Sequence, residues 1–126
     1  MIRLSEPELS YLLSEPRLGR LVTVEASGRP HVVPVGWTYN PDLGTIDISG
    51  RNFAASKKFR NVQTNPAVAF VVDDVLPGWR PRCVMIQGSG QALDADNGAQ
   101  AMIRIHPENV ISWGELHTKP DPQPRG

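Results

Sequence analysis

At 126 residues the chain has the length of one domain, with room for a modest core and little for a deep private pocket, so a large ligand would sit more easily between two copies. Lysine plus arginine number 13 and aspartate plus glutamate 13; the zero formal net charge argues against a general nucleic-acid or polyanion binder. Cys83 is the only cysteine, which excludes an intrachain disulfide, and with no apolar leader or membrane-length apolar run the chain reads as a soluble cytoplasmic protein.

Ser5 and Glu8 form an S-x-x-E capping box, Leu4 can staple onto Leu9, and Pro7 fits the first helical turn. Leu9, Leu12 and Leu13 then make one apolar stripe, and the helix should stop before Pro16. Residues 21–24 read as a strand, 26–29 as a hairpin turn, and 30–39, rich in valine and aromatics, as a second strand. Pro34 cannot donate to a ladder, so that strand is bulged or open on one edge, where a planar ligand or a partner could lie. Residues 40–44 form a second turn and 45–49 a third strand. A helix over 54–65 should pack Ala55, Phe59 and Val62 inward and end at Asn65-Pro66. Residues 67–72 read as a strand buried on both faces, and 73–81 as a loop carrying Trp79. Residues 82–93 form a long strand bent at Gly88 and Gly90. A turn over 94–98 precedes the last strand or strands, at 101–105 and 110–113. The folded domain is expected over 1–116, with a flexible tail at 117–126. The sum is a mainly β chain of six strands and two short helices, which suits a small closed or split antiparallel barrel.

The most informative stretch runs from Ser49 to Lys58. A strand end, a glycine turn and then Ser56-Lys57-Lys58 at a helix start can make an anion site: the turn and helix donate free N–H groups, and the lysines add charge. The bland alternative is a solvated helix start. Arg51 either reaches the same anion or is a turn residue, and Arg60 reads as a surface or dimer salt-bridge residue. His31, His106, His117 and Cys83 share no metal-ligand spacing, and no hydrolase elbow or P-loop motif occurs.

In order and spacing, LGRLVTV (18–24), GRPHVVPV (28–35), SKKFRNV (56–62), NPAVA (65–69), IQGSGQA (86–92) and ISWG (111–114) resemble a known family. It is the flavin/deazaflavin oxidoreductase group of the pyridoxamine 5'-phosphate oxidase-like split barrels. The resemblance implies a six-stranded Greek-key split barrel and a homodimer with cofactor sites at the subunit interface. It implies deazaflavin coenzyme F420 as cofactor, with FMN as the alternative, and a small organic hydride acceptor. It further implies that Val32, Val33, Pro34 and Val35 lie along the ring, that Ser56, Lys57 and Lys58 hold the phosphate, and that Ser49 is close by. Trp79, Gln87 and Trp113 are expected near the ring or across the dimer. Relatives often carry a helix between the last two strands, where this chain leaves room only for a turn. No catalytic residue and no metal ligand is assigned, since hydride transfer belongs to the cofactor. Two other readings stand beside this one: a non-catalytic cofactor binder, and haem chemistry of the kind some split barrels perform.

Overall fold

The computed structural model describes residues 2–94 and 101–117. The first helix, α1 (Glu6–Leu13), starts at the capping box: the Ser5 hydroxyl accepts from the Glu8 amide, and the Glu8 carboxylate accepts from the Ser5 amide at 2.7 Å. Its buried face carries Glu8, Tyr11 and Leu12. Leu13 is 61% exposed, which corrects the expected leucine stripe. On a 3.6-residue turn Tyr11 lies over Glu8, and this pair, not Leu13, meets the barrel.

Among the described residues seven strands follow, where six were expected: β1 (Gly19–Val24), β2 (Pro30–Val35), β3 (Thr38–Asn40), β4 (Thr45–Ser49), β5 (Ala67–Leu76), β6 (Arg80–Leu93) and β7 (Met102–Trp113). They form one antiparallel sheet in the order β2-β1-β5-β6-β7-β4-β3. The extra strand arises because the run 30–39 breaks at Gly36 and Trp37, and its two halves occupy opposite edges of the sheet. Laid flat, seven strands would hold those edges about 29 Å apart. The two-residue link reaches at most about 11 Å. The sheet must therefore curl until its edges approach, which makes the split barrel.

Leu21, Ile46, Ile48, Phe70, Ile86, Ile103 and Ile105 fill the inside of the curl and are essentially inaccessible. β5 was expected to be buried on both faces; instead Val68, Phe70 and Val72 are buried while Ala67 is exposed and Ala69 and Val71 are half-buried. A curled sheet has only one inside, so its outer row stays on the surface. The expected loop over 73–81 is also shorter, since β5 and β6 pair as far as Leu76↔Arg80 and leave only Pro77, Gly78 and Trp79 at the hairpin tip. The bend near Gly88 is a bulge: Gln87 pairs with Asn109 and Gly88 with Pro107, so Glu108 is the extra residue. A Cβ at Gly88 would stand 2.2 Å from the His106 carbonyl oxygen, so only glycine fits. The last strand is continuous.

The second helix begins later than expected. A 3₁₀ turn (Phe53–Ala55) precedes α2 (Lys57–Thr64), with Ser56 extended between them. That break shifts the phase of the segment, so Phe53 is buried with Phe59 and Val62, and Ala55 is exposed. Asn65 returns to extended backbone before Pro66. Residues 95–100 and 118–126, which hold most of the expected turn over 94–98 and of the expected tail over 117–126, lie outside the described residues. Among the described residues, no helix is long and apolar enough to cross a membrane.

Candidate functional site

The segment leaving β4 forms the turn that the sequence marks as a candidate anion site. Ser49 ends the strand exposed, and Asn52 takes a left-handed conformation (φ 51°), which asparagine tolerates better than most residues. The Ser56 hydroxyl donates to the Phe53 carbonyl at 2.6 Å and accepts from the Phe59 amide at 3.4 Å. Ser56 is thus a helix cap, and its hydroxyl proton is already in use. The next amides, of Lys57 and Lys58, are first-turn amides without an intrahelical acceptor, at the positive end of α2.

The cations of this turn differ in their surroundings. Lys57 Nζ lies 3.1 Å from the Glu25 carboxylate, in the β1–β2 hairpin, so much of its charge is countered within the chain. Lys58 Nζ sits 5.0 Å from the centre of the Phe53 ring, a cation–π contact that holds it beside the turn. Among the described residues neither Lys58 nor Arg51 has a carboxylate within ion-pair distance.

The Lys57–Glu25 pair also ties the start of α2 to the end of the hairpin from which β2 begins. β2 is an edge strand, as Pro34 foretold. Its register with β1 sets Pro30 opposite Val24 and Pro34 opposite Arg20. Prolines have no N–H to give, so these pairs are the non-hydrogen-bonded ones. The neighbouring bond from the Glu25 amide to the Arg29 carbonyl, at 2.9 Å, fits that alternation. Val32 shares the parity of the prolines. Its N–H and C=O, with the carbonyl of Pro34, therefore point to the open edge, where a planar heterocycle can use them. Val32 and Pro34 are exposed, Val33 is half-buried and Val35 is buried in the barrel. The adjacent His31 Nδ1 is buried without a hydrogen-bond partner. An open edge with one amide and two carbonyls suits a flat polar ring, and the two amides that open α2 suit an anion; the His31 nitrogen on the same strand is a buried polar atom still to be matched.

The remaining predicted residues stand elsewhere on the barrel. Val32 and Trp113 meet in a surface groove of about 450 Å³ that Arg20, Val71, Cys83 and Arg82 also line. Gln87 lies further along the same outer face and accepts from Asn109 at 2.9 Å. Trp79 is apart from all of them, 82% exposed at the β5–β6 tip with φ 59°, a left-handed conformation unusual for a bulky residue. Within one chain, then, Ser49, Arg51, Ser56, Lys57 and Lys58 share one segment and Val32 to Val35 lie on the edge strand. Trp79 and Gln87 join neither group.

One polar cluster has no counterpart in the sequence reading. Asp74 accepts from Arg82 at 2.8 and 2.6 Å, from Arg17 Nε at 3.3 Å and from the Tyr11 hydroxyl at 3.1 Å. Both guanidinium groups also lie over the Tyr11 ring, at 4.3 and 4.8 Å. The Arg82 hydrogen bonds, and behind them Arg17 and Tyr11, hold the Asp74 carboxyl below its usual range despite burial. Burial pushes the Tyr11 hydroxyl up, and the Asp74 charge adds to it. The cluster fastens α1 to the β5–β6 hairpin. Arg82 is 8 residues from Asp74 across the hairpin, but Arg17 and Tyr11 are 57 and 63 residues away, so no local pattern announces the whole cluster. Cys83 is buried, as expected of a small hydrophobe, and burial and Asp73 raise its thiol.

A split barrel with an open edge strand beside a cationic helix start defines a class of cofactor-binding β proteins, and comparison with known proteins gives the family. The sequence profile of pyridoxamine 5'-phosphate oxidase matches residues 5–126. A 5a,11a-dehydrotetracycline/5a,11a-dehydrooxytetracycline reductase of Streptomyces rimosus subsp. rimosus is 45% identical over 119 residues, covering 87% of this chain and 82% of that one. Among solved structures, the conserved hypothetical protein Rv2991 of Mycobacterium tuberculosis superposes with a TM-score of 0.73 at 20% identity, over 99% of this chain and 94% of that one. A structure described as an F420 reductase gives 0.61 at 22% identity, over 79% and 93%. The chain belongs to the pyridoxamine 5'-phosphate oxidase family, as a split-barrel oxidoreductase.

Proposed function

We propose that this oxidoreductase binds deazaflavin coenzyme F420 as a homodimer and reduces a small conjugated organic acceptor. The observation that carries the reading is the pair of cations, Lys58 and Arg51, that meet no carboxylate among the described residues, in the segment whose amides open α2. These groups would hold the phosphate, since hydrogen bonds to ionised groups contribute roughly 1.5–3 kcal/mol each. Ser56 fixes the turn and Lys57, shared with Glu25, adds a weaker attraction. The open edge of β2, from Val32 to Val35, would orient the ring, with Ser49 across the split. Bound there, the coenzyme supplies a two-electron hydride, and the protein positions it and excludes water. The reductase named for the 45% identical relative supports reduction of an organic acceptor, and the F420 reductase of similar fold supports the choice of coenzyme.

The dimer rests on the outer face of the sheet. By register Val22, Val32, Val71, Met85, Ile111 and Trp113 stand on one face, and Val32, Ile111 and Trp113 are 61, 42 and 51% exposed. So large an uncovered apolar patch is what a partner copy covers. Closure of that face would carry Gln87, Trp113 and Trp79 toward the partner's cofactor. Fluorescence titration with F420 and, separately, with FMN tests the reading. Tighter binding of F420 with turnover of enones supports it. Binding without turnover of any enone or quinone sinks the enzymatic part, and preference for FMN sinks the choice of coenzyme.

A further inference from the structure

Among the described residues His31 Nδ1 is the one sealed side-chain nitrogen or oxygen without a hydrogen-bond partner. Nε2 of the same ring also has no partner but is open to solvent. A sealed N–H with no acceptor is rarer in folded proteins than an acceptor left under-used. The ring's proton therefore belongs on Nε2, where it is free to be given to a ligand.

Two ties show where that proton stands. Lys57 reaches Glu25, just past β1, at 3.1 Å, and four residues on the Asn61 amide donates to the Thr23 hydroxyl at 3.0 Å. Four residues of helix rise about 6 Å and two residues of strand about 7 Å, so α2 runs alongside β1 with its start at the hairpin turn. His31 is the cross-strand partner of Thr23 and shares its face of the sheet. It is thus level with Asn61, one helical turn in from the opening amides of α2. On its other side Val32 follows, where the open edge of β2 offers its N–H. From the level of Glu25 to that of Val32, which pairs with Val22, is three residues of strand, about 10 Å. A ligand with its anion at the start of α2 and its ring along β2 must pass His31 between the two.

We propose that His31 binds the hydroxylated chain that joins ring to phosphate in both F420 and FMN, giving its Nε2 proton to a chain hydroxyl oxygen. The proposal rests on the function argued above and adds the contact for the part of the coenzyme between its two ends. Behind the ring the donors and acceptors also match. Thr23, fully buried, accepts from Asn61 and keeps its own proton, which is the donor able to meet Nδ1 when the ring settles on the ligand. Asn61, Thr23 and His31 then form one line of hydrogen bonds from α2 to the ligand. The orphaned nitrogen gains a partner in the same step.

Fluorescence titration of the full chain with three ligands tests this: F420; deazariboflavin, which keeps the ring and the hydroxylated chain without the phosphate; and deazalumiflavin, which keeps the ring alone. His31→Phe should weaken the first two by about three- to tenfold, the loss of one neutral hydrogen bond, and leave the third within about twofold. His31→Gln, whose amide still donates, should recover part of the loss. His106→Phe, at a histidine already paired with Gln91 at 2.9 Å, should change none of the three. In NMR spectra the imidazole proton of His31 should sit on Nε2 in the free chain and shift as F420 is added. Unchanged affinity in His31→Phe, a loss confined to F420, an equal loss with all three ligands, or a proton on Nδ1 overturns the proposal and leaves the function standing. A natural sequence that binds none of the three, nor FMN, overturns the function and this contact with it.

Discussion

Two basic regions of this molecule use their cations in opposite ways. At the β5–β6 hairpin, Arg82 and Arg17 converge on Asp74, with Arg82 1% and Asp74 25% exposed. At the start of α2, Lys58 and Arg51 meet no carboxylate among the described residues. A cation matched inside the fold holds the fold; a cation left unmatched beside free amides is available to a ligand. Charge counting alone would treat the two regions as equivalent.

The sharpest way to separate them is to remove one group from each. Asp74→Ala takes the carboxylate from two guanidinium groups and should cost about 3 kcal/mol or more in urea unfolding, the range for breaking a buried pair. F420 affinity should be unaffected in the protein that remains folded. A stability loss below about 1 kcal/mol would put Asp74 among ordinary surface pairs and break the comparison. Lys58→Ala should do the reverse, weakening F420 by about 1.5–3 kcal/mol while moving stability by no more than about 0.5 kcal/mol.

Acid sharpens the same contrast. The Asp74 carboxyl is held below its unfolded value, chiefly by the Arg82 hydrogen bonds. Its contribution is complete above the unfolded pKa of about 3.9 and is lost as pH falls through the lower folded value. Urea midpoints measured from pH 6 downward should therefore drop below about pH 4, with a shallower drop in Asp74→Asn. An identical slope in that variant would assign the acid sensitivity to Asp47 and Glu8, whose carboxyls burial raises but hydrogen bonds, from Arg104 and Ser112 respectively, lower further. The smallest effect belongs to Glu25→Gln. Releasing Lys57 from its partner should tighten F420 by less than about 1 kcal/mol, and weaker binding would show that Glu25 positions the helix start.

Local signals were legible wherever a few neighbouring residues decide the outcome. The Ser5–Glu8 box, the strand Thr45–Ser49, the edge at Pro34 and the bend at Gly88 all follow from hydrogen-bond donors and sterics within short windows. What stayed hidden depends on distant partners. Gly36 and Trp37 look like the middle of a β-rich run, and only closure of the sheet turns them into a jump between edges. Leu13 has the spacing of a core residue but faces a cleft formed with residues more than twenty positions away. At the candidate site, the strand end, the turn and the helix start were readable from the sequence. The division of labour within it was not, because Ser56 is consumed by Phe53 and Phe59, and Lys57 by Glu25.

The most direct test of the central claim is to follow backbone amide resonances as F420 is added. The account predicts that the Lys57 and Lys58 amides shift most, together with those of Arg51 and Val32, while Tyr11 and Asp74 stay still. Saturable binding that leaves the Lys57 and Lys58 amides unmoved would contradict it.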